Sequence, residues 1–212
     1  INKNNAGPTD AKNKFELPPP TPLSPEEELK TIRVPQGFHL ELVASEPMIE
    51  SPIAISFDEK GRMYVVEMRG YMHDMNGAGE KEPTGRISLL EDTHGTGKMD
   101  KASVFVDGLV MPRAVVAVKG GALVGVPPNL TFYKDTQGKG TADEKTIVAT
   151  DYGTPGGQPE HMANSPLVAM DNWIYSAAYP MRLKVSGNTW QHGPGLGRGQ
   201  WGLCQDNAGR LY

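Results

Sequence analysis

From Ile32 onward the sequence holds no helical period for long. Short apolar runs alternate with Asp/Gly/Asn turns at intervals of about 10 residues, the pattern of a strand meander. Two units recur within it. The first is an apolar strand, an Asp-containing turn and a second strand ending in an aliphatic or tyrosine pair. It appears as IAISFDEKGRMYVVE over 53–67, AVVAVKGGALVGV over 114–126, PLVAMDNWIYSAA over 166–178 and WGLCQDNAGRLY over 201–212. The second is LLEDTHGTGKMDKASVFVDGL over 89–109 and FYKDTQGKGTADEKTIVATDYG over 132–153. Here Asp92, Gly95, Gly97 and Asp100 are answered by Asp135, Gly138, Gly140 and Asp143.

The first unit reads as an inner hairpin and the second as an outer one. Joined, they make a four-stranded sheet of roughly 40 to 60 residues, the size of a propeller blade. The predicted class is therefore all-β, a β-propeller of four-stranded blades. About three and a half blades are counted over 32–212, the fourth cut short at Tyr212, whereas a closed ring needs about 4 to 8. The remaining blades are then the first expected partner, as further chain or another subunit, because an open fan leaves strand edges and blade faces bare. A sandwich of about seven strands competes with this reading but carries no such internal repeat.

Residues 1–31 are polar and proline-rich, with too little apolar surface to offset the entropy of ordering them, and read as a disordered or extended N-terminal tether. Within them Ser24-Pro25-Glu26-Glu27-Glu28 predicts the start of one short helix: serine caps, proline suits the first turn, and carboxylates favour a helix N-terminus.

Composition supports the strand reading, since hydrophobic residues make up only 38% while 25 glycines and 18 prolines supply tight turns. A net charge of −4 with scattered basic residues excludes an electrostatic footprint for nucleic acid or an anionic membrane. The one cysteine, Cys204, excludes an internal disulfide framework, and the lack of CxxC and CxxCH excludes a zinc ribbon or covalently attached haem in this segment. No run is long and apolar enough to span a bilayer, and Ile1 stands where a nascent chain has Met, so a targeting segment is expected to have been removed and the protein exported.

In a propeller the innermost strands line the axis, and the loops leading into them open on one face. Those approaches hold Met111-Pro112-Arg113, then Gly157 through Asn164, then Gly197-Arg198-Gly199-Gln200, a plausible polar ring. His161 is the candidate base, because imidazole titrates near neutrality, and Glu160 is the carboxylate that would orient it. The bland alternative is a histidine that merely bonds a loop. Arg113 and Arg198 are candidate clamps for a carboxylate or carbonyl, with surface ion pairing as the alternative. The two DxxGxGxxD turns have calcium-loop spacing, but His94, Thr96, Gln137 and Lys139 occupy positions where a good site has acids, which favours turn geometry. His73 reads as an exposed loop residue. The ten methionines and Trp173, Trp190 and Trp201 are expected to fill space between blades.

Residues 23–71, the run GQPEHMANSPLVAMDNWIYSA over 157–177 and RGQWGLCQDNAGRLY over 198–212 together resemble the N-terminal propeller of the membrane-bound dehydrogenase family of planctomycetes and verrucomicrobia. That family is similar to the soluble quinoprotein glucose and sorbosone dehydrogenases. The resemblance implies six blades in the whole protein, pyrroloquinoline quinone (PQQ) and calcium over the channel, and a cytochrome c domain or subunit taking electrons from a sugar or other alcohol in the periplasm. It puts His161 on the catalytic base, Glu160 on its acidic neighbour and Arg198 on an arginine that contacts the quinone; Arg113 and Gln200, from the same polar ring, are the further cofactor-binding candidates. Two departures stand out: Ala163-Asn164 replace a glycine pair, and Gly199 replaces an asparagine. They leave open a second reading, a non-catalytic propeller scaffold that docks partner subunits or a glycan.

Overall fold

In a computed structural model, residues 21–154, 157–187 and 189–212 are described. Two compact units follow one another along the chain, Ile1–Leu42 and Val43–Tyr212. In the first, the expected helix forms as α1, Pro25–Thr31, with a complete capping box: Ser24 accepts from the Glu27 backbone, and Glu27 accepts from the Ser24 N–H. Most of the tether read over 1–31 lies outside the described residues.

The second unit is three antiparallel sheets of four strands, each in simple sequence order. The first holds β1 (Pro52–Phe57), β2 (Met63–Glu67), β3 (Gly85–Glu91) and β4 (Lys101–Leu109). The second holds β5 (Ala114–Val118), β6 (Gly121–Val126), β7 (Asn129–Lys134) and β8 (Glu144–Ala149). The third holds β9 (Asn164–Val168), β10 (Ile174–Ala177), β11 (Met181–Ser186) and β12 (Thr189–Pro194). Beyond it Gln205 bridges Leu211, and Cys204 and Tyr212 exchange both backbone bonds, which makes one further hairpin.

Aspartate turns fix the register of the inner hairpins outside the second sheet, whose turn is Lys119-Gly120. Asp58 Oδ1 accepts from the Lys60 and Arg62 amides, each at 2.9 Å, and Oδ2 takes Arg62 Nε at 2.7 Å, while Gly61 supplies φ of 76°. Asp206 repeats the arrangement on the Ala208 and Arg210 amides, with Gly209 at φ 81°. A one-residue slip would carry Tyr64 and Val66 to the opposite face, so these turns also decide which side chains enter the core.

Alternation then sorts each strand between two neighbours. Tyr64, Val66, Ile87, Leu89 and Phe105 of the first sheet pack on Val115, Ala122 and Val124 of the second. The opposite face of the second sheet, with Val116, Leu123 and Leu130, packs on Ile174, Tyr179 and Leu183 of the third. Both faces of the middle sheet are thereby buried, which is why AVVAV and GALVGV read as unbroken apolar runs. Edge-to-face rings reinforce the packing: Tyr64 on Phe105 at 4.9 Å within the first sheet, and Tyr152 on Tyr179 at 4.9 Å and Phe132 on Trp190 at 5.6 Å between the second and third. The outer face of the first sheet, Met63, Val65 and Leu90, is covered by Ala44, Met48 and Ile49.

The leading strands of the sheets are neighbours, β1 beside β5 and β5 beside β9. Together with Gly202 and Leu203 they line a groove of about 500 Å³. Three sheets stacked in series with their first strands around one groove form a propeller-like fan, not a two-sheet sandwich, and the described sheets do not close on themselves. The expectation for the tryptophans is met at Trp190 alone. Trp173 lies under the Arg182 guanidinium at 4.4 Å within its own sheet, and Trp201 is 43% exposed. Met72, Met75 and Met170 are likewise exposed and fill no space between sheets.

Candidate functional site

An antiparallel sheet brings the start of its first strand and the end of its second to the same edge. The loop after β2 must therefore open beside the segments that lead into β5, into β9 and into the last hairpin. Tyr71 comes from the first of these, Arg113 from the second, Glu160 and His161 from the third, and Gln200 from the fourth. The structure brings all five together.

A single 3-10 turn, Pro159–His161, presents the Glu160-His161 pair. The Tyr71 hydroxyl donates to Glu160 Oε1, and this bond is the main reason that the Glu160 carboxyl is held below its usual range and the Tyr71 phenol above its own. His161 and Arg113 add smaller electrostatic stabilisation of the Glu160 carboxylate. The His161 ring turns the other way, with Nδ1 3.4 Å from Gln200 Nε2. Glu160 thus has Tyr71 as its side-chain partner, and the ring of His161 has Gln200.

Arg113 is not a surface ion-pair residue. Its side chain is buried at 2% exposure, its amide donates to the Gly125 carbonyl at 3.0 Å, and it lies close enough to Tyr152 and Glu160 to interact electrostatically with both. Burial lowers its pKa while those two groups push it up, and guanidinium remains cationic regardless. Arg113 therefore supplies a fixed positive charge beneath the cluster. Tyr152 is itself fully enclosed, its phenol raised by burial and its hydroxyl 2.9 Å from Ser176 Oγ.

Arg198 differs. Its carbonyl accepts from the Ala178 amide at 3.0 Å, but its side chain is exposed and forms no hydrogen bond or ion pair with the described residues. It stands two positions before Gln200 in the chain. Tyr71 is the member that sequence reasoning missed. The usable signal was topological, because the strand turn placed at 58–61 already puts residue 71 on the open side.

The DxxGxGxxD loops are turns that satisfy their own carboxylates. Asp92 accepts from Thr96 and Gly97, Asp135 from Lys139 and Gly140, and Asp143 from Thr136. Among the described residues no three His, Cys, Asp or Glu side chains gather as a metal site, and no helix is long and apolar enough to cross a membrane. His73 lines a separate open cleft of about 770 Å³ with Glu50, Arg69 and Arg86.

Fold and site together define a propeller-like all-β protein with a polar cluster over the groove between its leading strands. The chain belongs to the family described as a domain of unknown function, DUF7133, which matches residues 24–212. A solved structure of a candidate gluconolactonase is similar in fold, with a TM-score of 0.50 and 16% identity, covering 77% of this chain and 55% of that one. This chain thus spans about half the length of that protein. No protein of curated function matches the sequence.

Proposed function

We propose that this chain is part of a periplasmic quinoprotein-type dehydrogenase that oxidises a hydroxyl of a sugar or other alcohol, with His161 as general base. The observation that supports the reading is the convergence of Tyr71, Arg113, Glu160, His161 and Gln200 from four loops.

Gln200 sets what the imidazole can do. A side-chain amide can present either its oxygen or its nitrogen to the ring. As placed, Gln200 Nε2 faces Nδ1 and would donate to it, leaving the ring proton on the imidazole Nε2; with the amide turned so that its oxygen faces Nδ1, Nδ1 donates instead and the imidazole Nε2 keeps the lone pair that a base needs. Nε2 then takes the substrate hydroxyl proton as the carbinol carbon gives up hydride. The resulting imidazolium is stabilised by the neighbouring Glu160 carboxylate, which Tyr71 keeps ionised.

PQQ is an anionic quinone, and its fit can be tested against the donors present. Arg198 offers an exposed guanidinium without a protein partner among the described residues, and Arg113 a buried positive charge, and these two cations support the reading of an anionic ligand. Bound there, the quinone would supply a two-electron acceptor. Calcium ligands, further sheets and the haem c domain or subunit that would take the electrons are assigned to partner segments. Ile55 and Phe57 on β1, 55% and 54% exposed, are apolar surface that such sheets would cover.

The test is reconstitution of the full-length protein with PQQ and calcium, followed by dye reduction with sugars and simple alcohols. Turnover is expected in the wild type and a loss of about 100-fold or more in His161→Ala. Unchanged turnover in that variant would remove His161 as the base, whereas no turnover in the wild type would return the non-catalytic scaffold.

A further inference from the structure

The bond between His161 and Gln200 joins residues on separate loops, so something must hold the two loops in register. Asn164, the first residue of β9, is fully buried. Its Nδ2 donates to the Met162 carbonyl at 2.8 Å and to the Gln200 carbonyl at 2.5 Å. Its Oδ1 accepts from the Ser165 hydroxyl at 2.8 Å, and Ser165 Oγ in turn accepts from the Gly202 amide at 3.1 Å. One buried amide thus grips the backbone on both sides: the residue following His161 and the residue that carries the His161 partner.

The rest of segment 198–202 fits the same seat. The Ala178 amide donates to the Arg198 carbonyl at 3.0 Å. Gly199, at φ 91°, lies where an added Cβ would meet the Ala177 Cβ at 3.4 Å. Ala177 is the strand partner of Asn164. The backbone of the segment is therefore anchored before, at and after Gln200, and the Gln200 side chain reaches the ring from that fixed base.

We infer that Asn164 is a positioning residue that acts on His161 through Gln200 and determines which ring nitrogen carries the proton. The inference deepens the proposed base role and rests on it for its meaning in turnover, but the positioning can be read without turnover. Both Nδ2 protons of Asn164 are committed to carbonyls. A residue lacking that pair of donors loses both bonds that join Met162 to Gln200 through this side chain.

The experiment is imidazole ¹⁵N spectroscopy of the full-length protein on the high-pH plateau of its own spectra, comparing wild type with Asn164→Ala, Ser165→Ala and Gln200→Ala. The wild type should show one dominant His161 tautomer. Asn164→Ala and Gln200→Ala should both move His161 toward the mixture shown by free histidine, with Ser165→Ala intermediate. In turnover, Asn164→Ala should lower kcat by about 10- to 100-fold with KM little changed, as expected for a misplaced catalytic group. A His161 tautomer unaltered in Asn164→Ala but altered in Gln200→Ala would overturn the inference. If Asn164→Ala does not fold, Ser165→Ala decides on the same readout, and an unaltered tautomer there counts against it. Loss of the tautomer preference alongside full activity of His161→Ala would instead leave the positioning intact and remove the base.

Discussion

The Tyr71 hydroxyl donates to the Glu160 carboxylate across 89 residues of sequence, tying the loop of the first sheet to the turn that leads into the third. Neither residue is buried, so the bond acts on ionisation and loop placement more than on the core. Glu160 is shifted down by its partner, so any contribution to stability is present above the ordinary carboxylate value near 4.5 and fades as pH falls through the lowered one. Tyr71→Phe is expected to raise the Glu160 pKa toward 4.5, read by carboxyl NMR titration. An unmoved Glu160 would show that the phenol is not what lowers it.

His94 and Asp100 form an exposed pair at 2.5 Å. Asp100 is pulled down to about 2, chiefly by His94, and His94 is raised above 6.5 by Asp100. The aspartate contributes above its unfolded value near 3.8 and loses that as pH falls through about 2. The histidine contributes below 6.5 and loses it as pH rises through its raised value. The pair is at full strength between those unfolded values, so the Tm difference between wild type and His94→Gln should be largest near pH 5 and should shrink by pH 9. A difference independent of pH, or unaffected by salt, would contradict the assignment.

Gly125 faces the Tyr152 ring so closely that an added Cβ would stand 2.6 Å from Cε1 and 2.8 Å from the Ala114 Cβ. Both neighbours belong to the core between the second and third sheets and have nowhere to retreat. Gly125→Ala should cost about 1 to 3 kcal/mol in urea denaturation, the range for overpacking.

Glu67 is a fully buried carboxylate. Its Oε2 accepts from the Glu50 amide at 2.8 Å and from Arg69 at 2.6 Å, and its Oε1 accepts from the Ser88 hydroxyl. Glu67→Ala strands three donors at once and should cost about 3 kcal/mol by equilibrium unfolding, while Glu67→Gln, which keeps an acceptor, should cost less. Equal losses would mean that side-chain volume, not acceptance, holds this corner.

These side chains show where a sequence is informative. The inner hairpins are legible because Asp58, Asp171 and Asp206 sit at repeated offsets between alternating runs, so turn chemistry and burial agree. The hairpin of β11 and β12 is not legible: its short turn at Gly187 carries no aspartate, and the strands keep Lys184 and Gln191 on an exposed face. Ala44, Met48 and Ile49, which cover the first sheet, follow no period at all. At the site, His161, Glu160, Gln200 and Arg113 could be placed at one opening because hairpin order alone fixes which loops share a side. What escaped was pairing. Tyr71 lies a whole sheet away from its partner in sequence, and Arg113 lies within electrostatic reach of Tyr152, which no spacing rule connects to it.

The doubly covered middle sheet has a consequence for how the molecule is made. As the chain leaves the ribosome, Met63, Val65 and Leu90 can be shielded at once by residues already synthesised. Tyr64, Val66 and Phe105 must wait until residues 114–126 have emerged. Each sheet is thus finished by its successor, and the nascent protein always carries one raw hydrophobic flank at its growing end. A pause in translation shortly after Leu109 would leave that flank open longest, and chaperone capture should peak there.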